Sequence, residues 1–177
     1  MIAEQNVHLQ AHNTFGIVAK AEPDGYTILL HHIGMSTAPT LYRKLAFNPL
    51  TDFETIGLVT DAPMSLISRP NLEAKNFAEL LTYIKAQRDK ISLGNAGVGA
   101  ASHLCGMLLM STLDVPMTTI PYNGTGPAMT DLLGGQIDLM CDQTTNTTSH
   151  IKSGKVKVYG VTTKTRVKNM QEVPTLD

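Results

Sequence analysis

The sequence is poor in the residues that mark several large classes of protein. Of its 177 residues only 16% are charged, none is tryptophan and two are cysteine. No apolar stretch reaches the roughly 18 residues that a membrane-spanning helix needs. The formal net charge of −1 argues against a nucleic-acid partner, because proteins that bind nucleic acid carry an excess of lysine and arginine. With 42% hydrophobic residues, the chain is instead typical of a globular protein.

Few residues suit covalent or metal chemistry. Cys105 and Cys141 permit one disulfide and no disulfide framework. The spacing does not decide whether they meet, and we favour two buried free thiols, because unpaired cysteines are usually buried and inert. His31 and His32 are neighbours at a predicted strand end and would face opposite ways, which is poor for metal ligation. We therefore expect neither a metal nor a cofactor.

A strand, a glycine-rich turn and a helix are predicted in succession near the middle of the chain. The strand covers Ile91–Leu93, the turn covers Gly94–Gly99, and the helix begins near Ser102, whose hydroxyl is expected to cap its first turn. Backbone N–H groups at the positive end of a helix dipole suit an anion. We expect this turn to hold a carboxylate and the protein to bind it without converting it.

Strands and helices alternate along much of the remaining chain. The predicted strands are Tyr26–His31 (buried on both faces), Ile56–Val59, Ser65–Ile67, Met117–Ile120, Gln136–Cys141 and Val156–Val161. The segment Ile33–Thr37 is predicted as a loop, and residues 10–21 as the tail of a helix. Further helices are predicted from Pro39 through Leu45, from Asn76 with Glu79 in capping position, from Pro127 to Gly134–Gly135, and after the polar loop Gln143–Ser149. This order favours an α/β fold with a mostly parallel sheet covered on both faces. Ligands of such sheets bind beyond the carboxyl ends of strands. The Gly94–Gly99 turn, a second glycine-bearing turn at Pro121–Gly126, and Asp142 all lie just after predicted strands.

Other interpretations of these motifs remain open or weak. The turn has a purely structural alternative, and its GVGAAS run lacks the third glycine and the later acidic residue of a dinucleotide-binding fingerprint. Ser102 and His103 are adjacent, so on a helix they point in different directions and cannot act as nucleophile and base. Asp142 would either orient a ligand group or cap the following helix. Tyr122 and Asn123 would either line a pocket or make turn contacts.

Several motifs occur together in the order and spacing of a receptor family. They are PDGYTILLHHIGMSTAPTLYRKL, NAGVGAASHLCG, PYNGTGPAMTDLLGGQIDLMCD, IKSGKVKVYGVTTKTR and EVPTL. From about Phe15 onward, the chain resembles the Bug-type, or TctC-type, solute receptors, which are the extracytoplasmic binding proteins of tripartite tricarboxylate transporters. The resemblance implies the type II periplasmic-binding-protein fold, in which two α/β lobes close on a ligand like a hinge.

The resemblance also implies a division of this chain. Residues 1–66 would form part of a first lobe, residues 67–162 a complete second lobe, and residues 163–177 a segment that returns toward the first. The family's secretion signal, first strand and proline- and glycine-rich loop have no counterpart here, nor does its stretch after EVPTL. The N-terminal residues, MIAEQNVHLQAHNTF, do not have the pattern of a signal peptide. We expect a fragment with one complete lobe.

The resemblance finally implies a function and a set of binding residues. The family's ligands are mostly small carboxylates, held by backbone amides and ordered waters. They are captured in the periplasm, and the partners of the receptor are membrane transporter subunits. The implied ligand-binding residues are Gly34, Met35, Ser36, Thr37, Asn95, Ala96, Gly97, Val98, Gly99, Ala100, Ser102, His103, Tyr122, Thr125 and Asp142. The alternatives are a small α/β enzyme that uses Ser102, His103 or Asp142, and a ligand-sensing domain of a regulatory system.

Overall fold

Two β-sheets organise the part of the chain that the computed structural model describes, residues 2–4 and 14–176. The smaller sheet pairs β1 (Ile2–Glu4) in parallel with β2 (Ile28–Leu30). The strands of the larger sheet are β3 (Met64–Ser68), β4 (Ser92–Asn95), β5 (Thr118–Pro121), β6 (Leu139–Gln143) and β7 (Lys157–Val161). They lie side by side in the order β5-β4-β6-β3-β7.

Helices connect and cover these strands. Helix α1 is described over residues 14–18, and it is followed by α2 (Gly34–Leu41), α3 (Phe77–Gln87), a 3₁₀ turn (Arg88–Lys90), α4 (Ala101–Leu113), α5 (Thr125–Leu133) and α6 (Thr144–Lys152). Within the described ranges, none of these helices has the length and apolar character needed to cross a membrane. Part of the helix predicted over residues 10–21 lies outside the described residues.

The larger sheet is mostly parallel, as predicted, with one exception. Strands β5, β4 and β6 pair in parallel, whereas β3 runs antiparallel to both of its neighbours, β6 and β7. The strands β4, β5 and β6 therefore end at the same edge of the sheet. Because a helix follows each of these three strands, the first turns of α4, α5 and α6 are brought to that edge.

Apolar side chains cover both faces of the larger sheet. On β6, Leu139 and Cys141 join a buried cluster with α3 and β4, while Met140 between them joins a second cluster with α5. This alternation follows from the two-residue period of a strand. Helix α3 begins as predicted, because Asn76 Oδ1 accepts the Glu79 N–H at 2.9 Å and the Glu79 carboxylate accepts the Lys75 N–H at 2.8 Å.

Two predicted strands are wrong in extent or environment. Ile56–Val59 forms no strand, and its apolar side chains are between 77% and 88% exposed, because this stretch has no neighbouring strand among the described residues. In the Tyr26–His31 run only Ile28–Leu30 is a strand. Its outer residues Ile28 and Leu30 are partly exposed, so it is not buried on both faces.

Two segments interpreted as loops are helical. The loop expected at Gly34–Thr37 is the first turn of α2, which therefore contains Pro39 in its interior and ends at Leu41 instead of Leu45. The polar segment Gln143–Ser149 lies mostly inside α6, which begins at Thr144. Within α6 a threonine hydroxyl can turn back onto the helix, as Thr148 does by donating to the Thr144 carbonyl at 2.6 Å.

The preference for free thiols is also wrong. Cys105 and Cys141 form a disulfide, with their Cα atoms 5.9 Å apart. Helix α4 packs over β6, which brings Cys105 onto the face of the sheet that Cys141 occupies. Neither residue's place in the sequence reveals this contact, because it depends on how the helix lies on the sheet.

An ion pair joins the residue after β3 to the residue before β6, and hydrogen bonds tie the same carboxylate to the start of β4. Asp138 accepts the Arg69 Nε–H at 2.9 Å, the Ser92 N–H at 3.0 Å and the Ser92 hydroxyl at 2.8 Å. Burial alone would raise the pKa of Asp138. The hydrogen bonds from Ser92 and Arg69 outweigh it and hold that pKa below its ordinary value of 3.8.

Asp138→Asn is expected to lower the free energy of unfolding at pH 7 by about 1–3 kcal/mol, because it replaces an ionised acceptor of three hydrogen bonds. A lowered folded-state pKa stabilises the fold above the unfolded pKa, and this contribution is lost as the pH falls. The gap between wild type and variant, measured by urea denaturation at pH 7, 5 and 3, should therefore close toward pH 3. An equal gap at pH 3 and pH 7 would contradict this, and the exposed Asp89→Asn serves as the control.

Candidate functional site

A cleft of about 400 Å³ opens at the edge of the larger sheet where α4, α5 and α6 begin. Its second wall comes from α2 and the residues around it. The lining residues are Phe15, His32, Gly34, Thr37, Leu41, Tyr42, Ala96, Val98, Gly99, Ala100, Ala101, Ser102, Asn123, Gly124, Thr125, Gly126, Asp142, Gln143 and Asn146. The cleft thus lies beyond the carboxyl ends of parallel strands, as the alternation of strands and helices predicts.

The turn between β4 and α4 is held by its own hydrogen bonds. Asn95 Oδ1 accepts the Gly97 N–H at 3.0 Å, and Gly97 O accepts the Ala100 N–H at the same distance. Gly97 and Gly99 have φ angles of +126° and +83°, a region of backbone conformation that favours glycine. The glycines are therefore required by the path of the chain as well as by the space beside the cleft.

Ser102 does not cap α4, contrary to prediction. The N-cap position belongs to Ala100, and Ser102 lies one residue inside the helix with only 3% of its surface exposed. Its hydroxyl oxygen accepts the Ala96 N–H at 2.8 Å and so ties the turn to the helix. His103 makes a similar link, since its Nδ1 accepts the Gly99 N–H at 3.2 Å. The two side chains act separately and form no nucleophile–base pair.

These internal bonds leave a specific set of backbone donors for a ligand. The N–H groups of Ala96, Gly97, Gly99 and Ala100 are all used within the turn. By contrast, the N–H groups of Val98, Ala101 and Ser102 donate to no acceptor among the described residues. The same three residues line the cleft.

Helix α5 presents a second set of donors to the same cleft. Its N-cap, Gly124, has a φ of +101° and donates its N–H to Ala96 O at 3.1 Å, which joins the two turns. Thr125 and Gly126 line the cleft, and within the described part of the chain their N–H groups make no hydrogen bond. Two helix N-termini thus direct partial positive charge at one volume.

Asp142 links the beginnings of α5 and α6. It is only 2% exposed, and its Oδ2 accepts the Thr125 hydroxyl at 2.7 Å. Its Oδ1 accepts the Gln143 N–H at 2.6 Å and the Asn146 Nδ2–H at 3.1 Å. The carboxylate therefore borders the cleft and also holds the first turn of α6, which agrees with the capping role.

The opposite wall, as far as its residues are described, has no lysine or arginine side chain. The Thr37 hydroxyl lies 3.2 Å from Gly34 O and 3.3 Å from Gly99 O, and so bridges α2 to the glycine turn. His32 keeps exposed surface, but the protein around its ring, and secondarily His31, lowers its pKa below 6.5. This shift favours the neutral form of the imidazole. Among the described lining residues none is lysine or arginine.

Most of the predicted binding residues meet at this cleft. Those that line it are Gly34, Thr37, Ala96, Val98, Gly99, Ala100, Ser102, Thr125 and Asp142. Those that do not are Met35, Ser36, Asn95, Gly97, His103 and Tyr122. Met35 packs in the small core beside Phe15. The Tyr122 hydroxyl donates to Asp131 at 2.7 Å, and burial together with this carboxylate raises the pKa of Tyr122 to about 12.

The prediction missed several lining residues. They are Phe15, His32, Leu41, Tyr42, Ala101, Gly124, Gly126, Gln143 and Asn146, whereas Asn123 lines the cleft in agreement with one of its two interpretations. Asn146 follows Asp142 by four residues, a spacing that brings side chains together on a helix. This spacing would predict their contact only if the segment were taken as a helix, and the sequence favoured a loop there. Among the described residues, no group of histidine, cysteine and carboxylate side chains has the arrangement of a metal site.

Comparison with known proteins gives one consistent family. The model of the TctC family, described as the tripartite tricarboxylate transporter family receptor, matches residues 11–177. A UPF0065 protein of Agrobacterium vitis is 52% identical over 160 residues, which make up 90% of this chain and 46% of that protein. The chain therefore spans about half the length of the curated relatives it matches.

Three solved structures have the same fold. The periplasmic binding protein BugD is 57% identical, with a TM-score of 0.86 over 94% of this chain and 56% of that one. MatC from Rhodopseudomonas palustris, solved with bound malate, is 36% identical, with a TM-score of 0.81 over 93% and 57% of the two chains. A further R. palustris protein, solved with adipate, is 26% identical, with a TM-score of 0.87 over 93% and 56%. The predicted α/β periplasmic-binding-protein fold is thereby confirmed.

Proposed function

The chain belongs to the tripartite tricarboxylate transporter receptor family, whose model matches residues 11–177, and we propose that it captures a small organic carboxylate for delivery to such a transporter. The family and its solved members are receptors, which agrees with the expectation of binding without catalysis. The proposed partners are a carboxylate and the membrane subunits of the transporter.

One observation carries this proposal, the convergence of two helix N-termini on a cleft whose described lining residues include no lysine or arginine. Free N–H groups at the starts of α4 and α5 can donate to the two oxygens of one carboxylate. The helix dipoles add a favourable field, and an anion at such a position needs no cationic side chain. Malate and adipate, the ligands of two solved relatives, are both dicarboxylates.

The periplasm is the proposed location. BugD, which shares 57% identity with this chain, is a periplasmic binding protein. The Cys105–Cys141 disulfide supports the same compartment, because disulfides form and persist where the surroundings are oxidising.

Lobe closure is the proposed mechanism of capture. On this proposal residues 1–66 contribute to one lobe, residues 67–162 form the other, and residues 163–177 lead back. The hydrogen bond between the Thr37 hydroxyl and Gly99 O, at 3.3 Å, crosses between the two proposed lobes beside the cleft. A ligand held on both sides of this contact would favour the closed arrangement and exclude water from the bound carboxylate.

We expect malate and adipate to bind the 177-residue chain and to shift the NMR signals of the Ala101, Ser102, Thr125 and Gly126 amides. At a hundredfold excess over Kd, binding should raise the free energy of unfolding by about 2.7 kcal/mol. The uncharged diamides of the same acids should do neither, because they lack the negative charge that the helix termini attract.

The first turn of α3 provides an internal control for this titration. Its Asn76–Glu79 capping contacts lie outside the cleft, so the amide signals there should stay constant. Equal effects of acid and diamide, or shifts confined to residues outside the cleft, would contradict the proposal.

A further inference from the structure

The donors and acceptors around Asp142 are arranged asymmetrically. The carboxylate can only accept hydrogen bonds, so the groups that bond to it must be the donors. Thr125 has a single hydroxyl hydrogen, which goes to Asp142 Oδ2 at 2.7 Å. Toward the cleft its oxygen can therefore act only as an acceptor.

Asn146 is committed in the same way. Its amide nitrogen lies 3.1 Å from Asp142 Oδ1 and 3.3 Å from Thr125 Oγ1, so both amide hydrogens have acceptors inside this cluster. A carboxylate oxygen cannot donate, which fixes the nitrogen on that side. The side-chain amide oxygen of Asn146, Oδ1, has no hydrogen-bond partner among the described residues, and the residue is exposed at the cleft.

We propose that the cluster Asp142, Thr125 and Asn146 is a specificity site for a hydrogen-bond donor on the ligand. This inference rests on the proposed function, since it concerns the same cleft. The helix N-termini offer only donors and take the carboxylate. The cluster offers only acceptor oxygens and takes a hydroxyl or ammonium group carried by the same ligand.

The proposal therefore narrows the ligand class to acids with a donor substituent, such as 2-hydroxy or 2-amino dicarboxylates. An unsubstituted dicarboxylate leaves these acceptors to water or unpaired. A hydrogen bond to a charged group, or its loss, changes affinity by about ten- to hundredfold. Polar sites discriminate strongly against ligands that lack the matching group.

Succinate, malate and aspartate test this directly, because they share one carbon skeleton and differ in having hydrogen, hydroxyl or ammonium on one carbon. Isothermal titration of the 177-residue chain should give malate or aspartate about tenfold or more tighter than succinate. A preference for malate identifies the hydroxyl as the donor, and a preference for aspartate identifies the ammonium group. Equal affinity for all three overturns the inference but leaves the proposed function standing. Absence of binding by every acid overturns both.

Asn146→Ala and Asp142→Asn test the assignment to this cluster. Asn146 is exposed, so its replacement removes one acceptor at little risk to folding. Asp142→Asn places a donor among groups that already donate. In both variants the ratio of malate or aspartate affinity to succinate affinity should shrink toward unity. Thr145→Ala, at an exposed neighbour on α6 outside the cleft lining, should keep the preference. If both cluster variants keep the preference over succinate, the donor group of the ligand binds elsewhere and the inference is overturned.

Discussion

Reduction of the Cys105–Cys141 disulfide is expected to lower the free energy of unfolding by about 3–4 kcal/mol. The two cysteines are 36 residues apart, and cross-linking a loop of this length restricts the unfolded chain by that order of free energy. For a protein of ordinary marginal stability, this is a large part of the total. The oxidised chain should therefore resist urea concentrations that unfold the reduced one.

The same bond is expected to affect ligand binding. Cys105 lies one turn into α4, just after the free N–H groups of Ala101 and Ser102. Cys141 directly precedes Asp142 on β6. The disulfide therefore fastens the helix N-terminus that would hold the carboxylate to the strand that carries the acceptor cluster. Its loss should weaken malate binding more than the binding of a ligand that contacts only one of the two elements.

The measurement is urea unfolding followed by circular dichroism, with and without a phosphine reductant. The double variant Cys105→Ala/Cys141→Ala is the control, because it should unfold at the same urea concentration in both conditions. If the wild type also unfolds at the same urea concentration with and without the reductant, the disulfide contributes no stability to the fold. The two cysteines would then stabilise the fold no more than the free thiols that the sequence favoured.

Local patterns in the sequence predicted the elements that depend on neighbouring residues. The α3 helix begins where Asn76 and Glu79 place mutually capping side chains three residues apart. The α5 helix ends at Gly134–Gly135, where Gly135 has a φ of +75°. Such signals need no knowledge of the rest of the fold, so one sequence is enough to find them.

The errors arose where distant residues decide the outcome. The Ser102 hydroxyl could cap its own helix or reach back to the Ala96 N–H, and the second option depends on the path of the glycine turn. The disulfide depends on how α4 lies on β6. Ile56–Val59 has strand composition, but a strand needs a neighbour to accept its backbone hydrogen bonds, and composition cannot supply one.

The sequence predicted where the site lies better than it predicted which residues contact one another there. Alternation of strands and helices located the edge of the sheet where α4 and α5 begin, and family motifs added Gly34 and Thr37 across the cleft. The sequence predicted Asp142 and Thr125 as binding residues but did not predict Asn146, the third member of the acceptor cluster. Recognising α6 as a helix would have brought the side chains of Asp142 and Asn146 together.

Gly99→Val is expected to reduce carboxylate affinity by about tenfold or more. Gly99 has a φ of +83°, and a Cβ at this position would overlap Leu41 Cδ1 and lie 3.4 Å from Thr37 Oγ1. The valine side chain would therefore displace the facing wall of the cleft and alter the turn beside the free Val98 N–H. Because Gly99 lines the cleft, the added side chain would also prevent the backbone there from approaching a ligand closely.

Backbone strain must be separated from this effect, since a β-branched residue at positive φ costs about 1–3 kcal/mol wherever it occurs. Gly25 is a matched control, because its φ is +84° and a Cβ there would meet nothing within 4 Å. Both variants should lose similar stability to strain, as measured by urea unfolding. Only Gly99→Val should also lose malate affinity in a calorimetric titration. If Gly25→Val loses affinity equally, the loss reflects general destabilisation. If Gly99→Val binds malate as tightly as wild type, the glycine turn does not form part of the carboxylate site.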